Sequence, residues 1–149
     1  MMKYYLAYGS NLNKQQMRLR CPDAVPVTTA AVQDYQLVFR RGVLTLEPSQ
    51  GTSVPVAIWR ISDRDEKHLD VYEGYPSFYH KETWPVSALI DGYGPVSISC
   101  MVYIMNDGYP IKAPSDNYFY TVYGGYKDFG LYTAPLVRAY EQAKWGDDE

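Results

Sequence analysis

The chain has 149 residues, 46% of them hydrophobic and 21% charged, with a formal net charge of −3 and a pI near 5.3. That length supports one domain, residues 1–149, with a real hydrophobic core, and the scattered basic residues exclude a nucleic-acid footprint beyond the Arg40-Arg41 pair. No window approaches a membrane span and the apolar run after Lys3 is too brief for a secretion signal, so a cytoplasmic protein without membrane partners is the default expectation.

In chain order, Met2 to Ala7 alternates and is rich in Tyr and Leu, which predicts a strand, while Lys14 to Arg20 holds good helix formers around Met17 and Leu19. Between them lies Tyr8-Gly9-Ser10-Asn11-Leu12, with Asn11 or Asn13 available as the helix cap. A strand-to-helix junction of this kind offers free N–H groups and the positive end of a helix dipole to a carboxylate or an oxyanion. An ordinary capped turn has the same spelling.

Val32 to Phe39 and Val43 to Leu46 read as strands around an Arg40-Arg41-Gly42 turn, Pro48 to Gly51 as a second turn, and Val54 to Ile61 as a third strand. Ser62 and Asp65 form a capping-box pattern that starts a helix over about Asp63 to Glu73, stopped by Gly74 with Pro76 behind it. Phe78 to Leu89 and Val96 to Met105 complete a set of about six strands, whose sheet must curve or close. Ser115 caps a Tyr-rich helix over Asp116 to Tyr123, ended by Gly124-Gly125, and Thr133 starts a last helix from Ala134 to about Lys144. The terminal residues from Gly146 to Glu149 read as disordered. The expected fold is α+β: a small, curved or barrel-like, mostly antiparallel sheet with helices at its rim.

Two local features carry chemistry. Sixteen tyrosines suggest a broad, partly wet cavity or interface, because Tyr has apolar bulk and a polar tip. Glu73 stands four residues after Leu69, at the negative end of the helix dipole and beside apolar groups, and both circumstances raise a carboxyl pKa. A frayed, solvated helix end is the alternative, and Asp70 is expected to be exposed and dispensable. Cys21 and Cys100 have neither a metal spacing nor a histidine neighbour and read as reduced structural residues. His68 and His80 are expected on solvated surface. Ser10 lacks a base, and no ligand cluster suggests a metal.

The ordered set Tyr8-Gly9-Ser10-Asn11-Leu12, Gln33-Asp34-Tyr35, Glu47-Pro48, Val54 with Trp59, Leu69-Asp70 with Glu73-Gly74, Tyr79, Cys100 with Tyr103, and Gly130-Leu131 resembles the γ-glutamyl cyclotransferase family, also called AIG2-like. The resemblance covers nearly the whole chain. It implies a small-molecule γ-glutamyl substrate, cyclised to 5-oxoproline with release of an amine or amino acid and without a cofactor. It also implies that Glu73 is the catalytic acid and base. Tyr8, Gly9, Ser10, Asn11 and Leu12 match the substrate-anchoring loop, which holds either the α-carboxylate or the oxyanion. Tyr103 and Tyr118 match tyrosines lining the pocket, and Tyr79 joins them among the substrate-binding residues. Ala57, where many relatives have glycine, and Tyr132, where proline is common, are departures that bear on the rim and hence on the leaving group. Whole glutathione is disfavoured because relatives specialised for it spell the loop differently. A homodimer is compatible with this reading, and a non-catalytic binder of a γ-glutamyl or acidic metabolite is its competitor.

Overall fold

The computed structural model describes residues 2–146. Five strands form one open, mixed sheet: β1 (Met2–Ala7), β2 (Val25–Arg40), β3 (Val43–Ser62), β4 (Tyr79–Ile90) and β5 (Gly94–Met105), in the order β2-β3-β1-β5-β4. All neighbours are antiparallel except β1 and β5, which run parallel with Tyr4 opposite Cys100 and Tyr5 opposite Met101. Four helices surround it: α1 (Lys14–Arg20), α2 (Asp63–Glu73), α3 (Asp116–Phe129) and α4 (Ala134–Trp145). The α+β class and the largely antiparallel sheet with peripheral helices agree with expectation.

The sheet holds five strands because two predicted strands, Val43 to Leu46 and Val54 to Ile61, belong to one long element, β3. Pro48 to Gly51 does not reverse the chain. Its residues interrupt the register opposite Asp34, between the pairs Tyr35–Pro48 and Gln33–Ser53, and the strand then resumes in the same direction. The Gly51 N–H donates to the Asp34 carboxylate at 3.0 Å, which holds the irregularity in place. The β2–β3 turn falls at Arg41-Gly42 as predicted.

Helix α2 follows its sequence signals. Ser62 Oγ accepts from the Asp65 N–H at 3.1 Å, the Asp65 carboxylate accepts from the Ser62 N–H at 3.2 Å, and Gly74 closes the helix at φ 66°. A left-handed residue in that place is the usual role of glycine. Leu69 is buried, so the face it shares with Glu73 points inward. Helix α3 departs from expectation by running past Gly124-Gly125 to Phe129, with Gly130 as its cap at φ 65°. The predicted disorder of residues 147–149 lies outside the described residues, and Gly146 caps α4.

The core fills the space between the sheet and the helices. Leu6, Ile58, Ile61, Val102, Val122 and Leu136 are fully buried. Both cysteines are buried and free, and burial pushes the Cys21 thiol up to about 12 and the Cys100 thiol up to about 11. Neither can supply a thiolate near neutral pH.

Candidate active site

The central strand β1 delivers Tyr8 to the end of the sheet, where the chain makes one 3-10 turn over Ser10–Leu12 before α1 begins. The Leu12 N–H donates to the Gly9 carbonyl at 3.0 Å and the Asn13 N–H to the Ser10 carbonyl at 3.0 Å. Asn13 is the cap of α1, its side chain accepting from the Gln16 N–H at 3.0 Å. That leaves the Asn11 side chain for the site. Ser10 and Asn11 open the turn, and among the described residues no backbone acceptor is found for their N–H groups. Leu12, expected with the substrate-binding residues, does not line the adjoining cavity: its side chain is fully buried in the core and its N–H is taken by the turn.

Helix α3 presses against this turn. A Cβ at Gly125 would lie 2.6 Å from the Asn13 nitrogen and from the Leu12 carbonyl carbon, so the helix reaches the loop only because that position has no side chain. The Asn13 amide donates to the Thr121 carbonyl at 3.0 Å across the same contact. Gly9 is also crowded, since a Cβ there would stand 3.3 Å from Tyr118 Oη.

A cavity of about 260 Å³ lies between the loop and the end of α2. Tyr8, Gly9, Ser10 and Asn11 line one side, Glu73 the other, and Tyr79, Tyr103 and Tyr118 form walls. Glu73 is half-buried, and desolvation pushes its carboxyl up to about 7, with the positive charge of Arg20 opposing part of that rise. The frayed-end alternative is set aside by this position. Asn11 Nδ2 donates to Glu73 Oε2 at 3.3 Å.

The tyrosine hydroxyls divide into two groups. Tyr8 donates to the Tyr103 carbonyl at 2.6 Å, Tyr79 to the Leu44 carbonyl at 2.6 Å, and Tyr103 to the Asp70 carboxylate at 2.6 Å. Those three protons are spent on the scaffold. Tyr118 Oη instead accepts from the Leu44 N–H at 3.2 Å, and Tyr5 Oη accepts from Asn11 Nδ2 at 2.9 Å. Among the described residues no acceptor is found for these two hydroxyl protons, so each can donate into the cavity. Burial raises the pKa of both, which keeps the protons in place.

Several contributors escaped the sequence reading. Tyr5 and Tyr72 line the cavity, and Arg20 stacks its guanidinium on the Tyr72 ring at 3.6 Å. Only the alternation of β1 hinted that Tyr5 faces inward. Asp70 is corrected from exposed bystander to half-buried anchor: it takes Lys81 Nζ at 2.9 Å and the Tyr103 hydroxyl, so it steadies a cavity wall. His68 is exposed as expected, with Nδ1 2.8 Å from the Arg20 carbonyl. His80 keeps a largely exposed side chain whose ring nitrogens meet Glu82 and Asn106, and it does not line this cavity. Neither departure from the family pattern touches the site, because Ala57 is buried within β3 and Tyr132 is 75% exposed elsewhere.

A half-buried carboxylate that titrates near neutrality, facing a backbone cradle across a tyrosine-walled cavity, defines a site for acid–base work on a small polar molecule. Residues 5–126 match the family model described as gamma-glutamyl cyclotransferase, AIG2-like, and the chain belongs to that family. The gamma-glutamylcyclotransferase of Bos taurus is 30% identical over 138 residues, covering 85% of this chain and 71% of the relative, and that of Homo sapiens gives the same figures. A solved structure described as a gamma-glutamyl cyclotransferase superposes with a TM-score of 0.78 at 27% identity, covering all 100% of this chain and 90% of that one. The human structure described as uncharacterized protein loc79017 superposes with a TM-score of 0.72 at 26% identity over 99% of this chain and 89% of its own.

Proposed function

We propose that this chain cyclises γ-glutamyl amides to 5-oxoproline, with Glu73 moving the protons. The enzyme is of the γ-glutamyl cyclotransferase type, and the observation that carries the mechanism is the Glu73 carboxyl, held near pH 7 and aimed across a cavity of about 260 Å³ at the loop of Gly9 to Asn11. The substrate's own α-amine attacks its γ-carbonyl carbon. Nucleophile and electrophile share one molecule, so holding the folded conformer supplies much of the rate.

Glu73 accepts a proton from the α-ammonium, the new N–C bond forms, and charge gathers on the carbonyl oxygen. As the amide C–N bond breaks, the protonated Glu73 gives its proton to the departing nitrogen; the carboxylate so restored takes the second proton from the new ring nitrogen and passes it to the released amine, leaving the neutral lactam and an ammonium. One group serves both transfers best when its pKa lies near the working pH. The Ser10 and Asn11 N–H groups and the Tyr5 and Tyr118 hydroxyls are the donors available to the α-carboxylate and to the developing oxyanion. The cavity suits the γ-glutamyl head, with the leaving group directed toward the more exposed Tyr72.

The test is chromatographic release of 5-oxoproline from a panel of γ-glutamyl amino acids and amines. The wild-type chain is expected to turn over at least one, and Glu73→Gln is expected to lower kcat by ~10²-fold or more while keeping its circular dichroism spectrum. Binding without turnover across the panel would favour a metabolite-binding module instead.

A further inference from the structure

Asn11 is 2% exposed, and every polar atom of its side chain has a partner. The two ends of an asparagine amide are alike in shape and opposite in hydrogen bonding, so the direction in which the amide points is set by its neighbours. Arg20 Nη1 lies 2.7 Å from Asn11 Oδ1, and a guanidinium has no acceptor to offer. Oδ1 must therefore face Arg20, which turns Nδ2 toward Tyr5 Oη at 2.9 Å and Glu73 Oε2 at 3.3 Å. The Asn11 backbone is itself held, its carbonyl accepting from Trp59 Nε1 at 3.1 Å.

Arg20 is fixed from three directions. Its Nη2 donates to Gln16 Oε1 one turn earlier at 2.8 Å, its guanidinium lies 3.6 Å from the centre of the Tyr72 ring, and its carbonyl meets His68 Nδ1 at 2.8 Å. Tyr72 immediately precedes Glu73, and its hydroxyl bonds Ser10 Oγ at 2.8 Å. The guanidinium thus reaches both sides of the cavity at once: the anchoring loop through Asn11, and the end of α2 through Tyr72.

We propose that Arg20 is a positioning residue, which orients the Asn11 amide so that its N–H, rather than its carbonyl, is presented to Glu73. The inference rests on the functional reading above and adds to it the group that settles which form of the carboxyl is favoured. Its consequence has a definite sign. With Arg20 in place, a positive charge and an N–H donor both favour the ionised carboxylate; without it the amide is free to invert, and a carbonyl facing Glu73 favours the protonated acid. The other titratable groups facing Glu73 are Tyr5 and Tyr8 from β1, Tyr72 from α2, Tyr79 from β4, Tyr103 from β5 and Tyr118 from α3. Burial raises the pKa of Tyr5, Tyr8, Tyr79, Tyr103 and Tyr118 and holds them neutral near pH 7, and Arg20 is the one cation acting on Glu73 among these neighbours.

The experiment is carbon-13 NMR titration of the Glu73 carboxyl in the substrate-free protein, paired with kcat and KM against pH for wild type, Arg20→Met, Arg20→Gln and Arg20→Lys. Arg20→Met is expected to move the Glu73 midpoint upward by at least about half a pH unit and to lower kcat by ~10-fold or more, with a smaller change in KM. Arg20→Lys, which keeps charge and donors, is expected to recover part of both. Arg20→Gln keeps a donor for Asn11 Oδ1 and loses only the charge, so its midpoint is expected to rise less than that of Arg20→Met, or of Arg20→Ala should Met fail to fold; an equal rise in the two assigns the shift to charge alone and overturns the positioning role. An unchanged midpoint in a folded Met or Gln variant overturns the proposal and leaves Arg20 as a clamp between α1 and α2. The NMR arm needs no turnover: if the wild type releases no 5-oxoproline, the functional reading falls while the Arg20 proposal is still judged.

Discussion

Glu73 destabilises the fold it serves. Its carboxyl titrates near 7 in the native chain against an ordinary value of 4.5, so above pH 7 the folded state carries a charge that burial disfavours. Below the unfolded value the group is protonated in both states and the penalty vanishes. Glu73→Gln is accordingly expected to raise unfolding stability by about 1–3 kcal/mol at pH 8, and by progressively less as the pH falls toward 4.5, measured by urea denaturation across pH. This residue was legible in the sequence because it breaks a local rule, an acid at the wrong end of a dipole beside Leu69. Arg20 was not legible for the opposite reason: a cation in the last turn of α1 is what any helix favours, and its partners Asn11 and Tyr72 are brought to it only by folding. Asp70 misled similarly, since Lys81 and Tyr103 come from strands that the helix pattern does not predict.

At the scale of elements, the contact between α3 and the Gly9–Asn13 loop sets two effects against each other. Alanine in place of Gly125 gains about 1 kcal/mol of helix propensity, but its Cβ would sit 2.6 Å from loop backbone atoms that have no room to retreat without moving Ser10 and Asn11. The clash wins. Gly125→Ala is expected to lose about 1–3 kcal/mol of stability in denaturant and to raise KM severalfold, with kcat less affected. The same glycine pair explains why α3 was predicted to stop early: local propensity disfavours glycine inside a helix, and only the packing partner reveals why it is tolerated. The merging of two predicted strands into β3 has the same origin, because Pro48 and Gly51 signal a turn in isolation, while pairing with β2 on both sides carries the strand through.

Across the whole molecule, the sheet curls until its two edge strands meet. Tyr35 of β2 and Trp84 of β4 lie 4.5 Å apart between ring centroids, and Thr28 donates to the Leu89 carbonyl at 3.2 Å. None of these residues lines the cavity, so Trp84→Ala is expected to lower stability by about 1–3 kcal/mol in thermal or urea unfolding and to leave kcat within about twofold of wild type. Alternation and turn residues made the α+β class and the curving of the sheet readable; which two strands form the facing edges was not, since no local pattern encodes it. The packing of Gly125 against Leu12 and Asn13 has a kinetic corollary: with α3 closed against the loop, traffic is expected past Tyr72, which lines the cavity and is 42% exposed. On the proposed chemistry the freed amine, on the Tyr72 side, is expected to depart first and 5-oxoproline last, competing with the next incoming molecule.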